Sequence, residues 1–420
     1  MTPAAPVSAH RDQLGARAAT IVFLAFALAY FLSALARAVT ATLSPTLSSE
    51  FSLTAGDLGL LAGGYFFGFA LTQLPMGKWL DQHGPRRVVL GFLSLAVVGC
   101  MAFAMAESFG GLLVARVLIG MGVSACLMAP LTGYRRWLAP AAQLRANSWM
   151  LMTGSFGMVA ATLPVQWLMP FLGWRGLFWV LAGLVAVAMA GIAWRVPAWR
   201  HEAHDAGQAP VEEGYGIVWR NAYFRQMVPL GLVNHGGMVA IQTLWAGPWM
   251  VKVAGYTPAQ AAGGLFAINL VMLLSFWVWG MVNPRLARQG FTPEALIGWG
   301  LPLSLLLLAA IVVMGPAAGW PMLALYCASC TVASQAQPAV ALALPSAVAG
   351  RALSAYNLAI FAGVFVMQWA LGLMIDGLRW LGWDEVAGFR GAFAVFGLCS
   401  VVAYGVFWRA WRRQPASTSR

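Results

Sequence analysis

This sequence predicts an all-α polytopic membrane protein, with twelve transmembrane helices in two pseudo-symmetric six-helix bundles. Three observations carry that expectation. Hydrophobic residues make up 60% of the 420 and charged residues 9%, far from the roughly 45–50% and about 25% of soluble globular chains. Apolar stretches of about 20 residues, enough to cross a ~30 Å hydrocarbon core as helices, recur along the chain. The second half also repeats landmarks of the first at matched spacing.

In order, the apolar runs fall at 20–44, 57–79, 88–106, 109–133, 147–169, 174–194, 226–250, 258–282, 294–315, 319–343, 352–375 and 390–408. Residues 1–19 are expected to form a cytoplasmic tail, 20–194 one bundle, 226–410 the other, and 411–420 a second cytoplasmic tail. The polar stretch 195–225, with Arg200, His201, Glu202, His204, Asp205, Glu212 and Glu213, reads as a cytoplasmic tether. Ala34-Leu35-Ala36 has the look of a signal-peptide cleavage site, but the repeat needs this first helix to stay.

Of the 25 Lys+Arg, nineteen fall on the side that holds both termini, while Arg175, Lys252, Arg379 and Arg390 fall on the other. Arg37 and Arg116 lie inside spans. Retention of positive charge on the cytoplasmic face accounts for this split and for the net charge of +12. Binding of nucleic acid would need a basic face on a water-soluble element, and there is none. Trp137, Trp174, Trp199, Trp249, Trp320, Trp380 and Trp408 lie near expected interfaces, as aromatic belts do.

The repeat is built on helix starts. Thr54-Ala-Gly-Asp57 opens the second span and Thr257-Pro-Ala-Gln260 the eighth, each spaced as a capping box. Gly77 follows Thr54, and Gly280 follows Thr257, by 23 residues. Gly64 and Gly68 mark a close helix approach. After the second span stands Gly77-Lys-Trp-Leu-Asp81-Gln-His-Gly84-Pro-Arg86-Arg87, where an aspartate and two arginines can latch neighbouring helix ends. The second-half counterpart has Pro284 where the aspartate should be.

A charge near the bilayer centre costs on the order of 2.5–3.5 kcal/mol, so each one asks for a reason. Arg37 has two readings, as a cavity cation that binds an anion with Tyr30 one face away, or as a structural arginine bonded to neighbouring carbonyls. Arg116 reads as structural or as a coupling residue. No Asp or Glu falls in mid-span, which leaves His235, beside Asn234, as the titratable candidate. It either exchanges a proton or bonds its neighbour. Gln242 and Trp245, ahead of a bending point at Gly247-Pro248, make the seventh span a cavity wall, and Asn357 is a lining candidate from the eleventh.

Glycines and charges after the second span, together with Arg116-Val-Leu-Ile-Gly120 in the fourth, resemble the major facilitator superfamily over residues 20–410. The resemblance implies a secondary active transporter working by alternating access. It also implies gating roles for Gly77, Asp81, Gly84 and Arg86. Arg37 is similar in position to the first-helix arginine of the family's organic-anion carriers. Ile119 stands where its drug/proton antiporters usually have Gln.

The expectation is therefore a carrier of a small organic anion, with proton-coupled symport as the candidate coupling. It would sit in a bacterial inner membrane as a monomer, with the lipid bilayer and a small solute as partners. Substrate-binding candidates are Arg37, Tyr30, Asn234, His235, Gln242, Trp245 and Asn357; Arg116 and His235 join the gating group. Efflux of drugs or metabolites is the alternative. A copper carrier is the lesser one, because Cys327-Ala-Ser-Cys330 and Met238 suit Cu(I). No metal, cofactor or catalytic set is expected; His-Glu-x-x-His is absent from the sequence.

Overall fold

The computed structural model describes residues 13–199 and 215–413, which leaves part of the expected tether and both tail ends outside the described residues. In chain order the rods are α1 (Ala16–Phe51), α2 (Ala55–Leu80), α3 (Gln82–Ala104), α4 (Phe109–Trp137), α5 (140–172), α6 (174–195), α7 (222–253), α8 (Pro258–Arg288), α9 (Pro293–Met314), α10 (320–343), α11 (Ser346–Trp380) and α12 (Glu385–Arg413). The described residues contain no strand.

Among the described residues, nine helices are long and apolar enough to cross a bilayer. One of them, Leu163–Arg195, turns at Gly173 (φ 60°) and so joins the end of α5 to α6. Three further rods are interrupted. α5 breaks at Thr162, α10 tightens to a 3₁₀ turn over Thr331–Gln335, and α7 widens into π-helical turns at Leu230–His235, Ile241–Trp245 and Trp249–Val253. Hydropathy marks only the lipid-facing part of a rod, so α1 and α11 outrun their apolar runs at both ends.

Below, the end where α1 begins and α12 finishes is called the base, and the opposite end the crown. Both expected capping boxes form at the crown. The Asp57 amide donates to Thr54 Oγ1 at 3.1 Å and the Thr54 amide donates to the Asp57 carboxylate at 3.1 Å. The Thr257 amide donates to Gln260 Oε1 at 2.9 Å, and the Gln260 amide donates to Thr257 Oγ1 at 3.3 Å.

Small residues set the rod spacing. A methyl at Gly68 would overlap the Val117 carbonyl and one at Gly120 the Tyr65 carbonyl, locking α2 to α4. The same device joins the two halves. A methyl at Gly59 would overlap the Gln368 carbonyl, and one at Gly372 the Ala55 carbonyl. Around each half the apolar core continues across this seam: Ala240 and Val364 belong to the first-half cluster, Ala41, Leu58 and Ala62 to one of the second.

Three tryptophans expected in an aromatic belt turn inward instead. Trp137, Trp174 and Trp249 are buried. The Trp174 indole donates to Glu50 at 2.6 Å and that of Trp249 to the Ala318 carbonyl at 2.8 Å, so each polar tip is satisfied inside. Trp380, 86% exposed, keeps the belt position.

Gly59→Val is expected to destabilise the protein by about 1–3 kcal/mol through overpacking of the seam. Gly77→Ala, at a helical site with open space around it, should be neutral or stabilising by about 0.5–1 kcal/mol. Thermal unfolding of the purified variants measures both.

Candidate functional site

Helical spacing brings one set of side chains to the seam. On α1, Tyr30 and Arg37 lie two turns apart; on α2, Tyr65, Phe69 and Gln73 follow at steps of four; on α11, Asn357, Phe361 and Phe365 do the same. Arg37 and Phe69 each lie fourteen residues below the crown ends of their rods, a depth of about 21 Å.

Half-buried Arg37 has its guanidinium carbon 5.9 Å from the Phe69 ring centre and 5.8 Å from that of Phe361. One ring belongs to each half, and the two centroids are 4.4 Å apart. The hydroxyls of Tyr65 and Tyr30 are its electrostatic neighbours. Arg37 Nε is buried with no hydrogen-bond partner. Among the described residues Arg37 has no carboxylate partner; the described ion pairs are Arg175–Glu50 and Lys252–Glu385. A desolvated cation held against rings and lacking a counter-ion is a site for an anion.

Arg116 supports this from behind. It is fully buried, donates from Nη1 to the Ala36 carbonyl at 2.9 Å, and lies 5.3 Å from the Tyr65 ring centre. Tyr65 in turn donates to the Ser33 carbonyl at 3.1 Å. The second buried arginine thus holds the turn of α1 that carries the first.

The remaining candidates spread over three places. Asn357 reaches across the seam, donating to Gln73 Oε1 at 3.3 Å and accepting from Gln337 at 3.5 Å. Gln242 donates to Asn269 Oδ1 at 3.0 Å, and the fully buried Trp245 donates to the Gln368 carbonyl at 3.1 Å. Asn234 points to α12, where the Ser400 carbonyl accepts from it at 3.4 Å. His235 lies a turn before Val239, which packs against both halves' clusters, and its Nδ1 is buried without a partner. Gly247 approaches the Ala41 carbonyl of α1, so this step of α7 also packs against the other half.

At the base, Gly84 adopts φ 72°, and a methyl there would overlap Trp199. Trp199 also stacks edge-on with Trp137 and lies 4.9 Å from the Arg136 guanidinium. Arg86 donates to the Ala193 carbonyl of α6. A methyl at Gly77 would meet nothing within 4 Å beyond its own helix backbone. The Asp81 side chain lies outside the described residues.

Sequence reasoning passed over Phe69, Phe361, Tyr65, Gln73 and Asp376. A helical step of four from Asn357 finds Phe361, whereas the α2 aromatics carry no polar mark. Asp376 closes the crown: its carboxylate accepts from the Ala55 amide at 3.0 Å and the Gly56 amide at 2.6 Å. Both amides open α2, so an α11 carboxylate satisfies free donors and the helix dipole of the other half.

Twin bundles of membrane-crossing helices joined along a seam, with a cation at mid-depth, define a twin-bundle class of helical membrane protein. Residues 26–368 match the family model described as Major Facilitator Superfamily, and the chain belongs to that family. It is similar to the 3-(3-hydroxy-phenyl)propionate transporter of Escherichia coli K12, 26% identical over 269 residues, covering 61% of this chain and 60% of that one. It is also similar to the hexuronate transporter of the same strain, 27% identical over 162 residues, covering 39% and 37%. These matches span less than two thirds of the relatives' length. Among solved structures, a bacterial homolog of the human lysosomal transporter Spinster, inward-facing and unoccupied, superposes with a TM-score of 0.77 at 17% identity over 95% of this chain and 98% of that one. A D-xylose-proton symporter superposes at 0.74 with 16% identity, over 93% and 97%. At these identities the likeness is one of fold.

Asp376→Ala is expected to cost about 0.5–2 kcal/mol, as loss of a helix cap does. It should also speed maleimide labelling of a cysteine placed at Thr54. Thermal unfolding and labelling rates check the two effects.

Proposed function

We propose that this protein is a secondary active transporter of small organic anions, working by alternating access in a bacterial inner membrane as a monomer. The single observation behind this reading is Arg37, a cation without a carboxylate partner, set between an aromatic ring of each half. A carboxylate that accepts from the guanidinium supplies the counter-ion that Arg37 lacks among the described residues, and the apolar body of the solute lies against Phe69 and Phe361. Because the rings come from opposite halves, occupancy bears on how the halves meet. The orientation follows from the Lys/Arg bias, with the base in the cytoplasm.

Two relatives carry organic acids in their names, the 3-(3-hydroxy-phenyl)propionate and hexuronate transporters, and that agrees with an anionic solute. Described carboxylates lie at helix ends, as Glu50, Asp57, Asp376 and Glu385 do. His235 is accordingly the proposed proton partner, with an unpaired Nδ1 to carry the proton.

Arg37→Gln should lower kcat/KM for carboxylate uptake into proteoliposomes by about 30-fold or more, the cost of losing a buried charged partner. Arg37→Lys, which keeps the charge but loses the planar fork, should fall between. Equal rates in all three would remove Arg37 from the site. For coupling, uptake should carry a measurable pH change across the vesicle that vanishes in His235→Ala while downhill exchange of the anion persists. A pH change of wild-type size in that variant would remove His235 from the proton path.

A further inference from the structure

The crown carries few cations, and their partners differ. Arg175 pairs with Glu50 at 2.5 Å. Arg390 donates from Nε to the Val312 carbonyl at 2.8 Å and from Nη2 to that of Val313 at 3.3 Å. Both are committed to structure. The other two, Lys252 and Arg379, line one cavity of about 380 Å³. That cavity is walled by both halves: Ser48, Ser49 and Thr54 come from the first, Lys252, Arg379 and Glu385 from the second.

Arg379 is exposed and its side chain has no charge partner among the described residues. Lys252 meets Glu385 at 3.4 Å, with side chains 51% and 38% exposed; so open a pair exchanges readily for another carboxylate. The neighbouring acid, Asp376, does not line the cavity, and its carboxylate is occupied by the Ala55 and Gly56 amides. Two cations therefore face one acid in a concave space with low-dielectric walls, which concentrates field lines and anions. Trp245 also lines this cavity and bonds to Gln368 on the α2–α11 seam, so the space lies directly above the closed seam.

We propose that this crown cavity is a second anion subsite, distinct from Arg37, that takes the carboxylate of a small organic anion on Arg379 and Lys252 before the seam opens. The ligand class rests on the reading of Arg37 given above; the site itself rests on the crown charges. Ser48 lines the facing wall, where the Ser49 hydroxyl donates to the Thr46 carbonyl at 2.9 Å and the Thr54 hydroxyl to Asp57 at 3.0 Å, so the two cations carry the recognition. The cavity volume suits a monocarboxylate of benzoate size. A loading site of this kind acts on encounter, so its loss raises the half-saturation concentration from the crown side and leaves turnover and uptake from the base side unchanged.

The test uses the full chain, purified, with Ser49→Cys as reporter in a Cys399→Ser background, because the other four cysteines are buried. Benzoate is the probe and N-ethylmaleimide, which is uncharged, the label. Benzoate should slow labelling by on the order of threefold or more, the size expected of a charge-focused site, in otherwise wild-type protein and in Arg37→Gln alike. The protection should disappear in Arg379→Gln and shrink in Lys252→Gln, each checked by thermal unfolding for an intact fold. No protection in the parent protein, or equal protection in Arg379→Gln, overturns the subsite. Protection that persists while Arg37→Gln transports carboxylates normally would sink the Arg37 reading and leave the crown subsite standing.

Discussion

The approach of α2 to α11 is the constraint on which the rest of the structure depends. Gly56, Gly59, Gly63 and Gly372 hold no side chain where the rods cross; the Gln368 and Ala55 carbonyls fill the space at Gly59 and Gly372, the Asp376 carboxylate that at Gly56 and the Phe365 ring that at Gly63. In lipid there is no hydrophobic drive between helices, so association rests on such close packing and on bonds that satisfy buried polar groups. Asp376 adds the charged bond at the crown, and Asn357 to Gln73 adds a neutral one farther toward the base. Between them Phe69 and Phe361 meet, and Arg37 is enclosed.

Two arginines in one bundle core, without a carboxylate between them, would ordinarily destabilise it. Division of labour resolves this. Arg116 spends Nη1 on the Ala36 carbonyl and its face on Tyr65, which fixes the α1 turn. Arg37, one residue on, has the Tyr65 and Tyr30 hydroxyls as neighbours, an unpartnered Nε, and no carboxylate among the described residues. One π-helical turn of α7, Ile241–Trp245, carries both Gln242, which bonds to Asn269 of α8, and Trp245, which bonds to the Gln368 carbonyl of α11. Such turns cluster at functional sites in helical proteins.

Much of this was legible in the residues. Composition and apolar run length identify the class, and the two Thr-led boxes form at the expected places because a capping box is a local interaction. Gly68 also packs as its spacing suggests. The breaks in α5 and α10 were not legible, since hydropathy does not register hydrogen-bond offset along a rod; in α7 Gly247-Pro248 marked a bend but not the π-helical turns. Nor were the tryptophans: Trp174 looks like a belt residue until Glu50, 124 residues away, accepts its indole proton. Phe69 and Phe361 escaped because an aromatic residue in an apolar helix carries no mark of what it faces.

The most direct measurement is the shift in thermal midpoint of the purified protein against a panel of carboxylates, phosphates and cations, for wild type and Arg37→Gln in parallel. The account predicts that some carboxylates raise the wild-type midpoint, that cations do not, and that the carboxylate shift is lost with the guanidinium. A carboxylate shift of the same size in both proteins, or a shift produced by cations alone, would contradict it.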